Sequence, residues 1–409
     1  MEVLEVIDKK RCGLELTEEE LDFMFNGYLK GKVEDYQMSS LLMAICINGM
    51  NLNETICLTD LMLKSGVKLD LSNINGIVVD KHSTGGIGDK TTLVIGPILA
   101  SLGLKIGKLS GRGLGITGGT IDKLESIPGF RVSLSKEEFL NNLNTVGFTL
   151  AMQTPEFTPL DKAIYELRSV SGTVSSIPLI ASSIMSKKLA IGAKYILIDI
   201  KVGSGALLNN KEDAKKLANT MIKIGSHYGV VVIPVLTDMD IPLGDAIGNA
   251  LEVKEAIDTL KGKKGAFRDL CIELCTVLLC NAMDIDLDYA KDRVTRALDD
   301  GSAYKKFIEF VKAQDGNIEE MKISDNVVSV ISDVDGIIES IDAGSIGYLA
   351  LNLGGGRKKK NDTIDTSVGV VLNKHVGDEV KKGDILCYLY QRDNIDYTQK
   401  AKTAFKIVK

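Results

Sequence analysis

Two loops of this chain are so rich in glycine and hydroxyl groups that they dictate what can surround them. They are Asp80-Lys-His-Ser-Thr-Gly-Gly-Ile-Gly-Asp89 and Lys108-Leu-Ser-Gly-Arg-Gly-Leu-Gly-Ile-Thr-Gly-Gly-Thr120, and eleven glycines fall between residues 81 and 120. Glycine lets a backbone approach a ligand closely and turn its N–H groups inward, while serine, threonine, lysine and histidine add donors and positive charge. Each loop follows a short apolar run, at residues 77–79 and 104–106, and precedes a helical pattern. A strand–loop–helix context of this kind also directs a helix N-terminus at an anion. The chain is therefore expected to hold a phosphate group or an anion of that size.

Composition sets the outer bounds. With 409 residues, 44% hydrophobic and 25% charged, the chain is of ordinary globular make-up and long enough for two or three domains. A formal charge of −6 lacks the basic footprint that nonspecific nucleic-acid binding requires. No apolar stretch reaches the length of a membrane span, and the first residues do not read as a signal peptide. The seven cysteines are scattered, and Cys271, Cys275 and Cys280 sit in an apolar helical run with no histidine nearby. They read as reduced, mostly buried thiols and point to the cytoplasm.

The hydrophobic pattern changes twice along the chain. Residues 1–72 read as helices: Thr17-Glu-Glu-Glu20 forms a capping box, and Asp35 and Asn53 are expected to cap two more, the last closing at Gly66. From Gly76 onward, apolar runs at 77–79, 104–106, 148–151, 195–200 and 230–236 alternate with helical stretches, one of them capped by Ser135. That alternation predicts a mainly parallel α/β sheet. Residues 160–192 return to helical character and are expected to pack with the N-terminal helices. The expected division is a helical lobe (1–72 with 160–192), an α/β lobe (73–159 with 193–325) and a C-terminal α+β domain (326–409). In the last, Val376-Gly-Asp-Glu-Val-Lys-Lys-Gly-Asp384 resembles half of a biotinyl/lipoyl-like hammerhead, but no modification lysine of that class accompanies it.

Three groups of residues could do chemistry. His82 lies inside the first glycine loop between Lys81 and Ser83, and an imidazole there suits general acid work near neutral pH. His227 and His375 read as structural or solvated. Arg168 with Ser183 and Lys187 forms the second group. Ser183 and Lys187 are four apart in a helical stretch and share one face, so the three could bind a planar, acceptor-rich ring or simply be a solvated surface. Third, carbonyl oxygens near Leu243 and Ala246, with one carboxylate, could hold a hard cation, although such a stretch is more often a plain loop entering a helix. The run Arg357-Lys-Lys-Lys360 reads as a solvated loop or an interface segment.

At this point the motifs resemble those of a known family. Lys81-His-Ser-Thr-Gly-Gly-Ile-Gly-Asp89, Ser110-Gly-Arg-Gly-Leu-Gly-Ile-Thr-Gly-Gly-Thr-Ile-Asp-Lys-Leu-Glu-Ser126 and Ser176-Ile-Pro-Leu-Ile-Ala-Ser-Ser-Ile-Met-Ser-Lys-Lys188 are similar to signatures of the thymidine/pyrimidine-nucleoside phosphorylases. Lys201-Val-Gly-Ser-Gly-Ala206 and Gly354-Gly-Gly-Arg357 extend the likeness over essentially the whole chain. The resemblance implies a helical lobe, an α/β phosphate-binding lobe and a C-terminal α+β domain, in a homodimer whose lobes close on substrate. It assigns phosphate to Lys81, Ser83, Thr92, Lys108, Ser110 and Thr120. The nucleobase goes to Arg168, Ser183 and Lys187, with His82 near a base carbonyl. In the bacterial pyrimidine-nucleoside branch it implies a potassium ion at Gly88, Lys90, Leu243, Ala246 and Glu255. Inorganic phosphate would be the co-substrate, with no organic cofactor.

The sequence departs from that pattern at several positions. Ile116 stands where the family has a histidine, so the nucleoside pocket loses a polar contact. Met152 replaces a glycine and Ser169 an aspartate. Lys90 replaces a small hydroxyl residue of the potassium site, where its ammonium could stand in for the cation or only backbone oxygen could matter. The resemblance implies phosphorolysis of a pyrimidine nucleoside to free base and (deoxy)ribose 1-phosphate, and the first alternative is that reaction on a modified, purine or otherwise unusual nucleoside. A phosphoribosyltransferase would need paired acidic residues for magnesium–pyrophosphate, and the Lys-His-Ser loop argues against it. The remaining alternative is a nucleoside- or phosphate-binding dimer without turnover.

Overall fold

The computed structural model describes residues 1–113, 115–116, 118–154, 156–359 and 362–409. The chain divides into two compact units. The first comprises Met1–Asn73, Gln153–Ile198 and Lys211–Pro234; the second comprises Ile74–Met152, Asp199–Asn210 and Val235–Lys409.

The first unit is built on helices Val3–Arg11, Glu18–Leu29, Asp35–Asn48, Leu52–Lys64, Pro159–Ser171, Ile177–Ile191 and Lys211–His227. Their apolar faces enclose a core that includes Leu21, Met24, Phe25, Leu41, Ile45, Leu58, Met62, Ile164 and Leu179. The capping box at Thr17 forms as expected, with Thr17 accepting from the Glu20 N–H and Glu20 reaching back to the Thr17 N–H. Two caps sit earlier than the sequence suggested. Glu34 rather than Asp35 opens the third helix, closing a box with Gln37, and Asn51 rather than Asn53 opens the fourth, closing one with Glu54. The fourth helix also stops at Lys64, with Ser65 as its C-cap.

Strands β1 (Val78–Ser83), β2 (Lys105–Ser110), β3 (Phe148–Met152), β4 (Tyr195–Val202) and β5 (Val231–Asp238) form a sheet in the order β3-β2-β1-β4-β5. The first parts of β4 and β5 belong to the first unit and their ends to the second. Pairing is parallel between β1 and β2 (Val79 opposite Ile106) and between β2 and β3 (Ile106 opposite Phe148). A parallel strand is covered on both faces and reads as a continuous apolar run, which is why all five strands were visible in the sequence. Each of the first two strands runs four residues past its apolar stretch, so Lys81, His82, Ser83, Lys108 and Ser110 are strand residues and not loop residues. Ligands of open parallel sheets gather at such carboxyl ends. Helix Thr91–Ser101, buried along nearly its whole length, follows β1 and its loop.

The C-terminal part of the second unit is α+β. Strand β6 (Ala246–Ile247) joins β7 (Val327–Ile331), β9 (Gly369–Leu372) and β11 (Ile385–Tyr390) in a four-stranded sheet ordered β6-β9-β11-β7. Strands β8 (Gly336–Ile341), β10 (Glu379–Val380) and β12 (Phe405–Val408) form a three-stranded one ordered β10-β8-β12. Their core includes Val330, Ile338, Ile346, Val370, Leu386 and Leu389. Residues 246–247, far upstream, supply an edge strand to its larger sheet. No helix among the described residues is long and apolar enough to cross a membrane.

Candidate functional site

The residues singled out from the sequence fall in both units. In the second unit, parallel pairing sets the ends of β1 and β2 side by side. The Lys108 ammonium donates to the Lys81 carbonyl oxygen at 2.7 Å. The Lys81 ammonium donates to Thr91 Oγ1 at 2.5 Å, and that hydroxyl donates to Asp89 Oδ1 at 2.6 Å. Ser83 Oγ accepts from the Gly85 N–H at 3.2 Å. Thr92 lies buried in the first turn of helix Thr91–Ser101, while His82, Ser83, Ser110 and Thr120 remain partly exposed. Lysines 81 and 108 are each at most 5% exposed, so their charge is presented from below the loop surface.

Beneath these groups lies a charged layer that sequence reasoning missed. Asp199, fully enclosed on β4, pairs with the Lys201 ammonium at 2.9 Å and the Lys81 ammonium at 3.3 Å, and accepts from Thr237 Oγ1 at 2.6 Å. The Thr84 N–H donates to the Asp199 carbonyl oxygen, and the Lys201 N–H donates to Thr84 Oγ1. Burial by itself would raise the pKa of Asp89, but the Lys81 and Lys201 ammoniums and the Ser83 and Thr91 hydroxyls hold it well below the usual carboxylate range. Burial lowers that of Lys201, and Asp89 and Asp199 more than compensate, leaving it raised. A signal was available: Asp199 and Lys201 are two apart in an otherwise apolar strand and therefore face one side of the sheet.

The second glycine loop is held from its far end. Asp122 Oδ2 accepts from the Gly113 N–H at 2.6 Å and the Gly119 N–H at 3.2 Å, and Asp122 Oδ1 pairs with the Arg357 guanidinium. The Gly115 N–H donates to the Arg357 carbonyl oxygen. Arg357 is thus a half-buried structural partner and not part of a solvated loop, a correction to the sequence reading; Lys360 of the same run lies outside the described residues. Ile116 packs against the C-terminal core, where it approaches Gly347. Met152 ends β3 and donates its N–H to the Val132 carbonyl oxygen.

In the first unit, Ser183 and Lys187 do share a helix face: the Lys187 ammonium donates to Ser183 Oγ at 2.8 Å and to Asp161 Oδ2 at 2.5 Å. Arg168 is buried, and its guanidinium donates to the carbonyl oxygens of Thr173, Val174 and Leu179 at 2.7–3.2 Å. Burial lowers its pKa, partly offset by the nearby Asp161 carboxylate. Ser169 points away from that cluster, exposed and bonded to the Glu166 carbonyl oxygen, so its replacement of an aspartate does not fill a pocket around Arg168.

The cation-site residues also converge. Gly88, Leu243, Ala246 and Glu255 surround the ammonium of Lys90, which bonds to three of them. His227 is exposed at a helix end, and His375 pairs with Asp245 at 2.8 Å. All seven cysteines are free; Cys271, Cys275 and Cys387 are buried, whereas Cys12 is exposed.

Comparison with known proteins agrees along the chain. Residues 75–304 match the family model described as "Glycosyl transferase family, a/b domain", residues 4–66 its helical bundle domain, and residues 337–408 the "Pyrimidine nucleoside phosphorylase C-terminal domain". A pyrimidine-nucleoside phosphorylase from Geobacillus stearothermophilus is 48% identical over 405 residues, and one from Bacillus subtilis (strain 168) is 47% identical over the same length. Both alignments cover 97% of this chain and 94% of the relative. Among solved structures, anthranilate phosphoribosyltransferase from Thermus thermophilus shares the fold, with a TM-score of 0.60, 17% identity, and 76% of this chain and 99% of that one covered.

Proposed function

The chain belongs to the pyrimidine-nucleoside phosphorylase family, and from that membership we infer that it cleaves pyrimidine nucleosides with inorganic phosphate, a pentosyl transfer giving free base and (deoxy)ribose 1-phosphate. What carries this reading is likeness to phosphorylases along nearly the whole chain. The reaction needs phosphate as co-substrate and no organic cofactor.

We assign phosphate to Lys81, Ser83, Thr92, Lys108, Ser110 and Thr120. This assignment is supported by the buried ammoniums at the ends of β1 and β2 and by the amide-rich start of helix Thr91–Ser101. Asp199 and Asp89 act on phosphate through Lys81 and Lys201, which makes them positioning residues. A phosphate oxygen attacks C1′ as the glycosidic bond breaks, the bonding pair leaves with the base, and the sugar passes through an oxocarbenium-like state. The base becomes anionic only as it departs. Arg168, Lys187 and a protonated His82 therefore gain strength in the transition state, about 3–4 kcal/mol for a single well-placed donor. Three of the five guanidinium N–H groups of Arg168 hold main-chain carbonyls, which fixes the fork and leaves one N–H on each terminal nitrogen for an acceptor.

A homodimer and a cytoplasmic location belong to the same proposal. The dimer is supported by exposed apolar residues on helix Asp35–Asn48, with Tyr36 70% and Ile47 75% exposed and Met43 between them. The location is supported by seven free cysteines. The function is tested by base release from uridine, thymidine, deoxyuridine and purine nucleosides, with and without phosphate. Release of uracil or thymine only with phosphate is expected. Release confined to purine or modified nucleosides would move the substrate, and Ile116→His would then show whether the lost imidazole sets that choice.

A further inference from the structure

The potassium ion implied by the family meets a disagreement in this chain. Its oxygen ligands converge, but on a side chain. The Lys90 ammonium donates to the Leu243 carbonyl oxygen at 2.6 Å and the Ala246 carbonyl oxygen at 2.9 Å, and pairs with Glu255 Oε2 at 2.7 Å. Those contacts use all three of its N–H bonds. The Lys90 side chain is 0% exposed, and the Phe267 ring lies 5.0 Å from the ammonium, offering its π-face to the charge.

The carboxylate is equally committed. Glu255 Oε1 accepts from the Asp245 N–H at 2.9 Å, and Oε2 accepts from the Ala246 N–H at 2.8 Å. The walls are close: a Cβ on Gly88 would stand 2.7 Å from the Leu243 carbonyl oxygen, and one on Gly244 2.9 Å from the Lys90 ammonium. Both glycines also have positive φ, +77° and +73°, where other residues are strained. A metal ion could take these oxygens only by expelling the ammonium, and an expelled Lys90 would have to leave a closed site. The residues therefore do not fit a metal ion alongside the side chain.

We propose that the Lys90 ammonium is a built-in monovalent cation that ties the phosphate loop to residues 243–246, so that this protein folds and works without potassium or any other monovalent metal ion. Lys90 immediately precedes Thr91 and Thr92, which makes it the N-cap of the helix whose first turn faces the phosphate loop. A covalently attached charge holds that turn to β6 at any salt composition. The cage oxygens are those of an ordinary hard-cation site, so shortening Lys90 to serine should return them to a free cation.

The test compares KCl with choline chloride at equal ionic strength, reading the thermal midpoint and the phosphate KM. For the wild-type protein, neither quantity should differ between the salts, and crystals soaked in thallium(I) should show no anomalous peak among the Leu243, Ala246 and Glu255 oxygens. Lys90→Ser should be destabilised in choline chloride and recover in KCl, with a midpoint rise of about 2–4 °C as the ion binds the folded state. Its phosphate KM should fall in the same direction. A potassium-specific gain in the wild-type midpoint, or a thallium peak at these oxygens, would overturn the proposal; so would a folded Lys90→Ser protein indifferent to the cation. Should Lys90→Ser not fold, the wild-type measurements decide. The KM arm rests on the phosphorolysis reading: no base release in either salt would sink that reading and leave the midpoint and thallium results to judge this one.

Discussion

Replacing Asp199 by asparagine removes one negative charge from a place that water does not reach. The carboxylate sits 2.9 Å from the Lys201 ammonium and 3.3 Å from the Lys81 ammonium, and both lysine side chains are at most 2% exposed. Breaking a buried pair by deleting one partner costs about 3–5 kcal/mol, because the surviving charge is left desolvated. Here two ammoniums lose a partner, but Asp89 still faces both, which places the cost near the lower end, about 3 kcal/mol. The Thr237 hydroxyl can still donate to the asparagine oxygen, so little is lost there. Urea unfolding, followed through the transition of the second unit, should show the midpoint of Asp199→Asn falling with the slope unchanged. Adding Lys201→Met to that variant removes one of the stranded charges and should restore at least about 1 kcal/mol, a coupling expected of residues in contact. Phosphate KM should rise in the single variant, because Lys81 loses one of the groups that position it. A loss below about 1 kcal/mol, the range of exposed pairs, would refute the reasoning, and so would a double variant less stable than the single one.

Two further outcomes follow from the geometry. The His375–Asp245 pair should make stability depend on pH. The hydrogen bond to Asp245 raises the histidine pKa above its ordinary 6.5, so its contribution is complete below that value and disappears as pH rises through the raised pKa. The hydrogen bond from His375 lowers the pKa of Asp245, so the pair also weakens at strongly acid pH as that carboxylate is protonated. The imidazole is 56% exposed, and solvent screening limits the pair to about 0.5–1 kcal/mol. The stability gap between wild type and His375→Asn should accordingly be present at pH 5–6 and close on the alkaline side; a gap as large on the alkaline side as at pH 5–6 would contradict it. Lys187→Gln, which keeps a donor near Asp161, should lower kcat by about 10²–10³ and leave the phosphate KM alone. A kcat within tenfold of wild type would remove Lys187 from the base-stabilising set.

The strands were readable because parallel strands are apolar along their length, and the α/β class followed from their alternation with helices. What the apolar runs could not show was where each strand ends, since Lys81-His82-Ser83 continues β1 with polar residues. The two displaced caps have a local cause. Asp35 and Asn53 are good capping residues in isolation, but Glu34 with Gln37 and Asn51 with Glu54 each satisfy two backbone donors at once. Arg357 was opaque for a different reason: its partner, Asp122, is 235 residues away, and nothing local distinguishes a guanidinium in a glycine-rich turn from a solvated one. That Ser183 and Lys187 share a helix face was legible from their spacing, but the bonds from Arg168 to three carbonyl oxygens were not, because they depend on the path of residues 173–179. Asp199 and Lys201 lay in plain view. Two opposite charges on one face of an apolar strand are costly to bury unless they pair, and that cost was the clue.

In the proposed reaction phosphate, bound at the ends of β1 and β2, is itself the nucleophile at C1′. Incubating the protein with uridine and phosphate labelled with ¹⁸O in every position, then following the products by ³¹P NMR, tests it directly. Uracil and ribose 1-phosphate should form in equal amounts, with all four labelled oxygens retained in the ester because the C1′–O bond comes from phosphate. Uracil accompanied by free ribose and untouched labelled phosphate would show that water attacks C1′ and that phosphate is not the nucleophile.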